Sequence, residues 1–283
     1  MNDQRWILFA DLDGTVLDKE SYEPGPSLKA LGRCGEAGIH VIFSSSKTGA
    51  EIERYHASYA PHPASPFIAE NGGGVFFPSD HWAEPPGGEE KGRFWKVTLG
   101  ASHQAVFRVL TEAAGRVGVQ ISTFTGMAPE EIARRTGLSL EEAKLAAQRD
   151  FDEPFWIEEH VRTNLKALQE AIAAEGMRLT RGGRCFHVHG ASDKGKAAEY
   201  VRQRYEQEMG SVYASAVGDA ANDLSMFRAV DRAYLVKGAD GSHDPEIPRA
   251  KNIRFMAGVG PVGFSQAVDD LIDHTEPERS SFR

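Results

Sequence analysis

Leu8-Phe9-Ala10-Asp11-Leu12-Asp13-Gly14-Thr15-Val16-Leu17-Asp18 is an apolar run that stops on two aspartates spaced two apart, followed at once by glycine and threonine. Trp6 to Ala10 reads as a short strand buried on both faces. Two carboxylates planted on the loop that ends it lose hydration and repel one another, so the arrangement is costly unless something cationic sits there.

Outward from that strand the pattern alternates. Ser27 to Ala37 reads as a helix entered through Pro26 and ended by Gly38, Ile39 to Phe43 as a second apolar strand, Thr48 to Tyr59 as a second helix and Phe67 to Ala69 as a strand fragment. The alternation resumes with a helix over Lys194 to Met209, a strand over Val212 to Val217, a helix over Asp223 to Ala229, a strand over Ala233 to Val236 and a last helix over Gly263 to Asp273. The polar tail after His274 is expected to fray. Strand–helix alternation implies a parallel sheet with right-handed crossovers.

The middle differs. Residues 78–93 are rich in Pro, Gly and charge and read as a boundary. Beyond it Phe94 to Leu99 alternates, Ser102 to Val117 is a helical pattern, Pro129 to Arg135 is a short helix followed by Gly137, and Ser139 to Glu142 is a capping box opening another. Phe155 to Ile157 and Cys185 to Val188 read as strands with a helix over Thr163 to Glu175 between them. The expected fold is α/β: a Rossmann-like parallel-sheet core domain from residues 1–78 and 190–283, with an inserted α/β module over 79–189.

Composition narrows the function. The 283 residues carry 32 basic against 41 acidic side chains, a net charge of −9, which argues against a nucleic-acid partner. An anionic small molecule remains compatible with it, because a bound metal reverses the sign locally. No stretch is long and apolar enough to span a membrane, and the polar start of the chain is unlike a signal peptide. Cys34 and Cys185 have no disulfide or zinc spacing, which fits a reducing cytoplasm, and both read most simply as buried apolar side chains.

Four pieces sit after strands or at helix starts, where an open α/β sheet gathers its site. They are Asp11-Leu12-Asp13-Gly14-Thr15, Ser44-Ser45-Ser46-Lys47-Thr48, Ser192-Asp193-Lys194-Gly195 and Gly218-Asp219-Ala220-Ala221-Asn222-Asp223. Singly, each has a bland reading as a turn, a helix cap or a surface lysine. Together they supply what phosphoryl transfer requires. Carboxylates hold Mg²⁺, a hydroxyl donates to a phosphoryl oxygen, and a lysine neutralises the transferring group. One aspartate of the first pair then attacks phosphorus, since no Cys or His is placed to do it.

These four pieces, in this order, resemble the motifs of the haloacid dehalogenase-like phosphatases, and the insertion between the second and third is similar to the type IIB cap domain of that superfamily. More narrowly, SSKT (45–48), AENGG (69–73), TGLSLEEA (136–143), GGRCFHV (182–188) and DKGKA (193–197) resemble mannosyl-3-phosphoglycerate phosphatases. Cys185 departs from that pattern, where an aromatic or larger apolar residue is expected.

The resemblance implies Mg²⁺-dependent hydrolysis of mannosyl-3-phosphoglycerate to mannosylglycerate and phosphate. It makes Asp11 the nucleophile and a metal ligand, and Asp13 the general acid and then base, with its backbone carbonyl on the metal. Ser45 and Lys194 hold the phosphoryl group, while Asp219 and Asp223 complete the metal site. Ser46, Lys47, Thr48, Asn71, Arg181, Arg184, His187 and Asn222 are the expected contacts to the phosphorylated sugar-glycerate. His187 and His189 sit two apart on one strand face, but no third metal ligand accompanies them.

Other readings lose ground on particular residues. Gly190 to Lys196 fits a P-loop, but Ala197 stands where a Ser or Thr should meet Mg²⁺. Ser44-x-x-Lys47 and Lys47-Thr48-Gly49 match serine-acylase strings but overlap on one lysine. A type IIB phosphatase for glucosyl-3-phosphoglycerate or sucrose phosphate, and a sugar-phosphate binding protein without turnover, remain as alternatives; intact Asp11 and Asp13 argue against the last.

Overall fold

The computed structural model describes residues 5–158, 164–181 and 185–280 of the chain, and the side chains of that range as far as 274. The chain begins with β1 (Arg5–Ala10), α1 (Ser27–Glu36), β2 (Ile39–Phe43) and α2 (Gly49–Tyr59). Thr48 caps α2 in a reciprocal box with Glu51, so the helix starts one residue later than the sequence reading has it.

Next come β3 (Phe67–Ala69), β4 (Gly74–Pro78), β5 (Gly88–Lys91) and β6 (Phe94–Thr98), which form an antiparallel sheet in the order β3-β4-β6-β5. This corrects the expected boundary. Residues 79–99 do not open the inserted module, because β5 and β6 fold back onto β4 of the core, with Phe94 opposite Pro78 and Val97 opposite Val75. The charged stretch that reads as a linker is an exposed edge strand, where Glu and Lys are at home.

The module itself runs from α3 (His103–Val117) through β7 (Ile121–Thr123), α4 (Pro129–Thr136), α5 (Leu140–Ala146), β8 (Asp152–Ile157), α6 (Leu165–Ala174) and β9 (Arg178–Arg181) to β10 (Phe186–His189). Its antiparallel sheet has the order β7-β8-β10-β9. Val106 and Leu110 of α3, with Leu168 and Ile172 of α6, cover one face through Phe155 and Val188.

The chain then returns to the core with α7 (Lys194–Met209), β11 (Val212–Gly218), α8 (Leu224–Arg228), β12 (Arg232–Lys237), β13 (Ile253–Val259) and α9 (Gly260–Ser280). The helix α9 extends to Ser280, beyond the Asp273 at which the sequence reading ends it.

The core sheet is parallel, in the order β13-β12-β11-β1-β2. Trp6, Leu8 and Ala10 of β1 face α1 and α9, while Ile7 and Phe9 face α7 and α8, so the strand is buried on both sides as its unbroken apolar run demands. The chain leaves β1 toward β2 on one side and β11 toward β12 on the other. The carboxyl ends of β1 and β11 therefore frame a topological switch point, where an open α/β sheet leaves a crevice for ligand.

Candidate active site

Asp11 sits at that crevice, its amide extending the pairing of β1 onto Val217 O at 3.0 Å. The loop after it curls back, with Leu17 N donating to Leu12 O (2.8 Å) and Gly14 at φ 87°. A Cβ at Gly14 would come within 2.6 Å of Asp219 Oδ2, so glycine gives this turn its conformation and lets the facing carboxylate approach.

Lys194, the first residue of α7, is fully buried and donates to Asp11 Oδ1 at 2.6 Å and Asp223 Oδ1 at 2.7 Å. Asp223 Oδ2 accepts from the amides of Asp219 (3.1 Å) and Ala220 (3.3 Å). Lys19 closes the group with a 3.0 Å ion pair to Asp219 Oδ2. Each of Asp11, Asp219 and Asp223 is buried and offers an oxygen within 4.8 Å of the other two. Burial pushes the Asp11 carboxyl up to about 7 against the pull of Lys194, with the Asp223 charge adding to the rise. Burial and neighbouring carboxylates raise Asp219 and Asp223 as well. Lys194 stays above the ordinary lysine range despite its burial, because Asp11 and Asp223 hold its proton. Crowded oxygen donors whose charge is incompletely offset are the donor set a small hard dication takes.

The Asp13 carboxylate is turned away from this group. It pairs with Lys47 Nζ at 3.1 Å, and that ammonium lies 4.7 Å from the Tyr22 ring centre and 5.8 Å from that of Tyr55. Burial works against the charge on Lys47, yet Asp13 and Glu51 raise its proton affinity. A narrow cleft opens beside it between α2 of the core and α5 of the module, lined by Lys47, Glu51, Arg54, Tyr55, Glu142 and Leu145 among others. The TGLSLEEA string of the sequence thus forms one wall of the cleft.

The loop carrying Ser45 is strapped between β1 and β3: Ser44 N donates to Ala10 O (2.9 Å) and Ser45 N to Ile68 O (3.1 Å). Asn71, with φ 54°, donates its amide to Ser45 O at 3.0 Å and accepts from Asn222 Nδ2 at 3.4 Å. The Thr48 hydroxyl is committed to structure: it accepts from Glu51 N and donates to Leu145 O (3.0 Å), which leaves it no donor for a ligand.

The expected arginine contacts fare differently. Arg181 is opposite Phe186 in the β9–β10 register, with its guanidinium 5.9 Å from that ring, on the face covered by α3 and α6. The opposite face carries Arg178, Thr180, His187, His189 and Asp152. Strand side chains alternate, so Arg181 points away from this face and Arg178, which reaches Asp193 at 3.9 Å, points onto it. Arg184 lies outside the described residues. His187 is held by Asp152 Oδ2 at 2.8 Å; burial opposes its charge, but Asp152 raises it to about 10, so it is an imidazolium at neutral pH. Cys34 is buried as expected, whereas Cys185 is half-buried with Sγ 3.5 Å from His187 Nε2.

Sequence reading missed Lys19, Glu70, Arg149 and Asp152. Glu70 stands in the AENGG string without a role assigned, and Arg149 and Asp152 stand in Arg-Asp-Phe-Asp-Glu-Pro (149–154), a charged run before a strand that carries no local signal of its own.

The profile of the haloacid dehalogenase-like hydrolases matches residues 8–83, which hold the first two motifs. A glucosyl-3-phosphoglycerate/mannosyl-3-phosphoglycerate phosphatase of Methanococcoides burtonii is 39% identical over 94% of this chain and 97% of its own length. A mannosyl-3-phosphoglycerate phosphatase of Pyrococcus horikoshii is 32% identical over 81% of this chain and 90% of its own. The fold is similar to that of BT4131, a haloacid dehalogenase subclass IIB sugar phosphatase, with a TM-score of 0.62 at 16% identity over 94% of this chain and 98% of that one. The chain therefore belongs to the mannosyl-3-phosphoglycerate phosphatase family of the haloacid dehalogenase-like hydrolases and is a phosphatase.

Proposed function

We propose that the protein hydrolyses a glycosyl-3-phosphoglycerate, with mannosyl-3-phosphoglycerate as preferred substrate and the glucosyl analogue as the runner-up. The observation that carries this reading is the Asp13–Lys47 pair, whose lysine lines the narrow cleft between α2 and α5. Asp13 is the residue to protonate the leaving oxygen, so the leaving group lies beside it and within reach of Lys47. A glycerate leaving group brings a carboxylate with it, and Lys47 and Arg54 supply cations there.

Asp11 attacks phosphorus while Lys194 holds its Oδ1 and offsets the phosphoryl charge. The ester bond breaks as Asp13 gives its proton to the leaving oxygen. Asp13 then takes a proton from the water that opens the aspartyl-phosphate, and Asp11 is freed. Mg²⁺ held by Asp11, Asp219 and Asp223 would neutralise charge on the phosphoryl oxygens. Chelation is expected to abolish turnover and added Mg²⁺ to restore it. Asp219→Ala should raise the Mg²⁺ concentration needed, measured by activity and by the heat of Mg²⁺ binding; full activity in excess chelator would exclude the assigned metal site.

Selectivity separates this reading from a general sugar phosphatase. Arg54→Ala is expected to raise KM for mannosyl-3-phosphoglycerate by about tenfold, near the lower end for a charged hydrogen bond, and to leave p-nitrophenyl phosphate nearly unchanged. Arg181→Ala should leave both unchanged. A phosphate-release screen over mannosyl- and glucosyl-3-phosphoglycerate, sucrose phosphate and p-nitrophenyl phosphate tests the assignment. Preference for sucrose phosphate would overturn it.

A further inference from the structure

The Ser45–Lys47 loop is bonded by the core through its first and last carbonyls. Asn71 N donates to Ser45 O and Glu70 N to Lys47 O, each at 3.0 Å. The carbonyl between them, Ser46 O, is bonded by the inserted module: Arg149 Nη1 donates to it at 2.9 Å. Arg149 is buried, and its remaining bonds fix it within the module, Nε to Ala146 O at 2.9 Å and Nη1 to Asp152 Oδ1 at 3.0 Å. The His187 imidazolium holds the other oxygen of Asp152.

The same module segment is seated on the core beside this bond. The Glu70 carboxylate accepts the amides of Asp150, Phe151 and Asp152 at 2.9, 2.8 and 2.8 Å. Phe151 lies on the neighbouring glycines so closely that a Cβ at Gly73 would come within 2.3 Å of it. Glu70 and Asn71 take left-handed backbone conformations, φ 49° and 54°, which turn the Glu70 carboxylate to the module and the Asn71 amide to the Ser45 loop.

We infer that Arg149 is a positioning residue for phosphoryl transfer, completing the hydrogen bonding of the Ser45–Lys47 loop from across the domain boundary. The inference rests on the phosphatase chemistry and is independent of which sugar is the substrate. The loop presents Ser45 toward the phosphoryl group and Lys47 toward Asp13, so both shift if the module segment is not seated. A displacement of about 1 Å at a reacting group costs on the order of 10²-fold in rate.

The test compares two substrates. Arg149→Met is expected to lower kcat by about 10- to 100-fold on p-nitrophenyl phosphate and by a similar factor on the best phosphoglycerate substrate, with KM changing much less. Arg149→Lys, able to make one of the lost bonds, should recover part of kcat. Glu70→Gln should lower kcat in the same direction by less. The double variant should lose less than the product of the two single losses, since both act through one seated segment. All rates are taken per folded chain, from the melting curve of each variant, and Arg149→Lys carries the comparison if Arg149→Met does not fold. An unchanged kcat on p-nitrophenyl phosphate, a loss confined to the phosphoglycerate, or multiplicative losses in the double variant would each overturn the inference.

Discussion

Asp11→Asn is expected to cut turnover by about 10⁴–10⁶-fold, the scale on which a covalent enzyme loses its nucleophile, while the folded chain persists. Asparagine keeps the shape and can still accept from Lys194, but it cannot form the acyl-phosphate. Stability should move the other way. Burial lifts the folded Asp11 carboxyl from its ordinary value of 3.8 to about 7. A carboxyl raised on folding costs stability progressively as pH climbs through that window, and the full cost persists above it. At pH 8 without metal, Asp11→Asn should therefore melt at or above the parent temperature, and Mg²⁺ should raise its melting temperature less than it raises the parent's. Near-parental phosphate release by this variant would remove Asp11 from the mechanism.

Lys194→Met is expected to abolish turnover and, unlike the Asp11 change, to destabilise the fold. It strips the cation from Asp11 and Asp223, both buried, and breaking a buried pair by removing one partner costs about 3–5 kcal/mol. The loss should be largest at neutral and alkaline pH and should shrink on acidification, as Asp11 and Asp223, already raised by burial, take up protons. Adding Asp11→Asn to Lys194→Met should recover part of the lost stability by removing one uncompensated charge. Melting temperatures across pH for the single and double variants test this; a Lys194→Met chain as stable as the parent at pH 8 would mean that the carboxylates are offset elsewhere.

Much of the architecture is legible in local patterns. The helix over Lys194 to Met209 coincides with its reading, and the parallel core follows from apolar strands alternating with helices. The four motifs are legible because each follows a strand or opens a helix, and the strand ends bring them together without long loops. What escapes is fixed by pairing between distant segments. β5 is Gly-Glu-Glu-Lys, whose charges mark a linker as well as they mark an exposed edge strand, and only its partner β6 decides. Arg178 and Arg181 are equally plausible from composition; their register with His189 and Phe186 decides which shares the face of His187 and Asp152, and a one-residue slip would exchange them. Arg149 and Glu70 are charged residues with no periodic signal, whose roles exist only once segments 70–74 and 145–152 are in contact.

Asp13→Asn with p-nitrophenyl phosphate tests most directly whether Asp11 carries the phosphoryl group and Asp13 moves the protons. Nitrophenolate departs without needing a proton, so Asp11 should still be phosphorylated, whereas opening the aspartyl-phosphate needs a base and should stall. The expected result is a rapid burst of nitrophenolate stoichiometric with the chain, followed by turnover slowed about 10²–10⁴-fold, and, after rapid quenching, a phosphoryl group on the peptide containing Asp11. A steady release with no burst and an unmodified Asp11, or a phosphoryl group found on another residue, would contradict it.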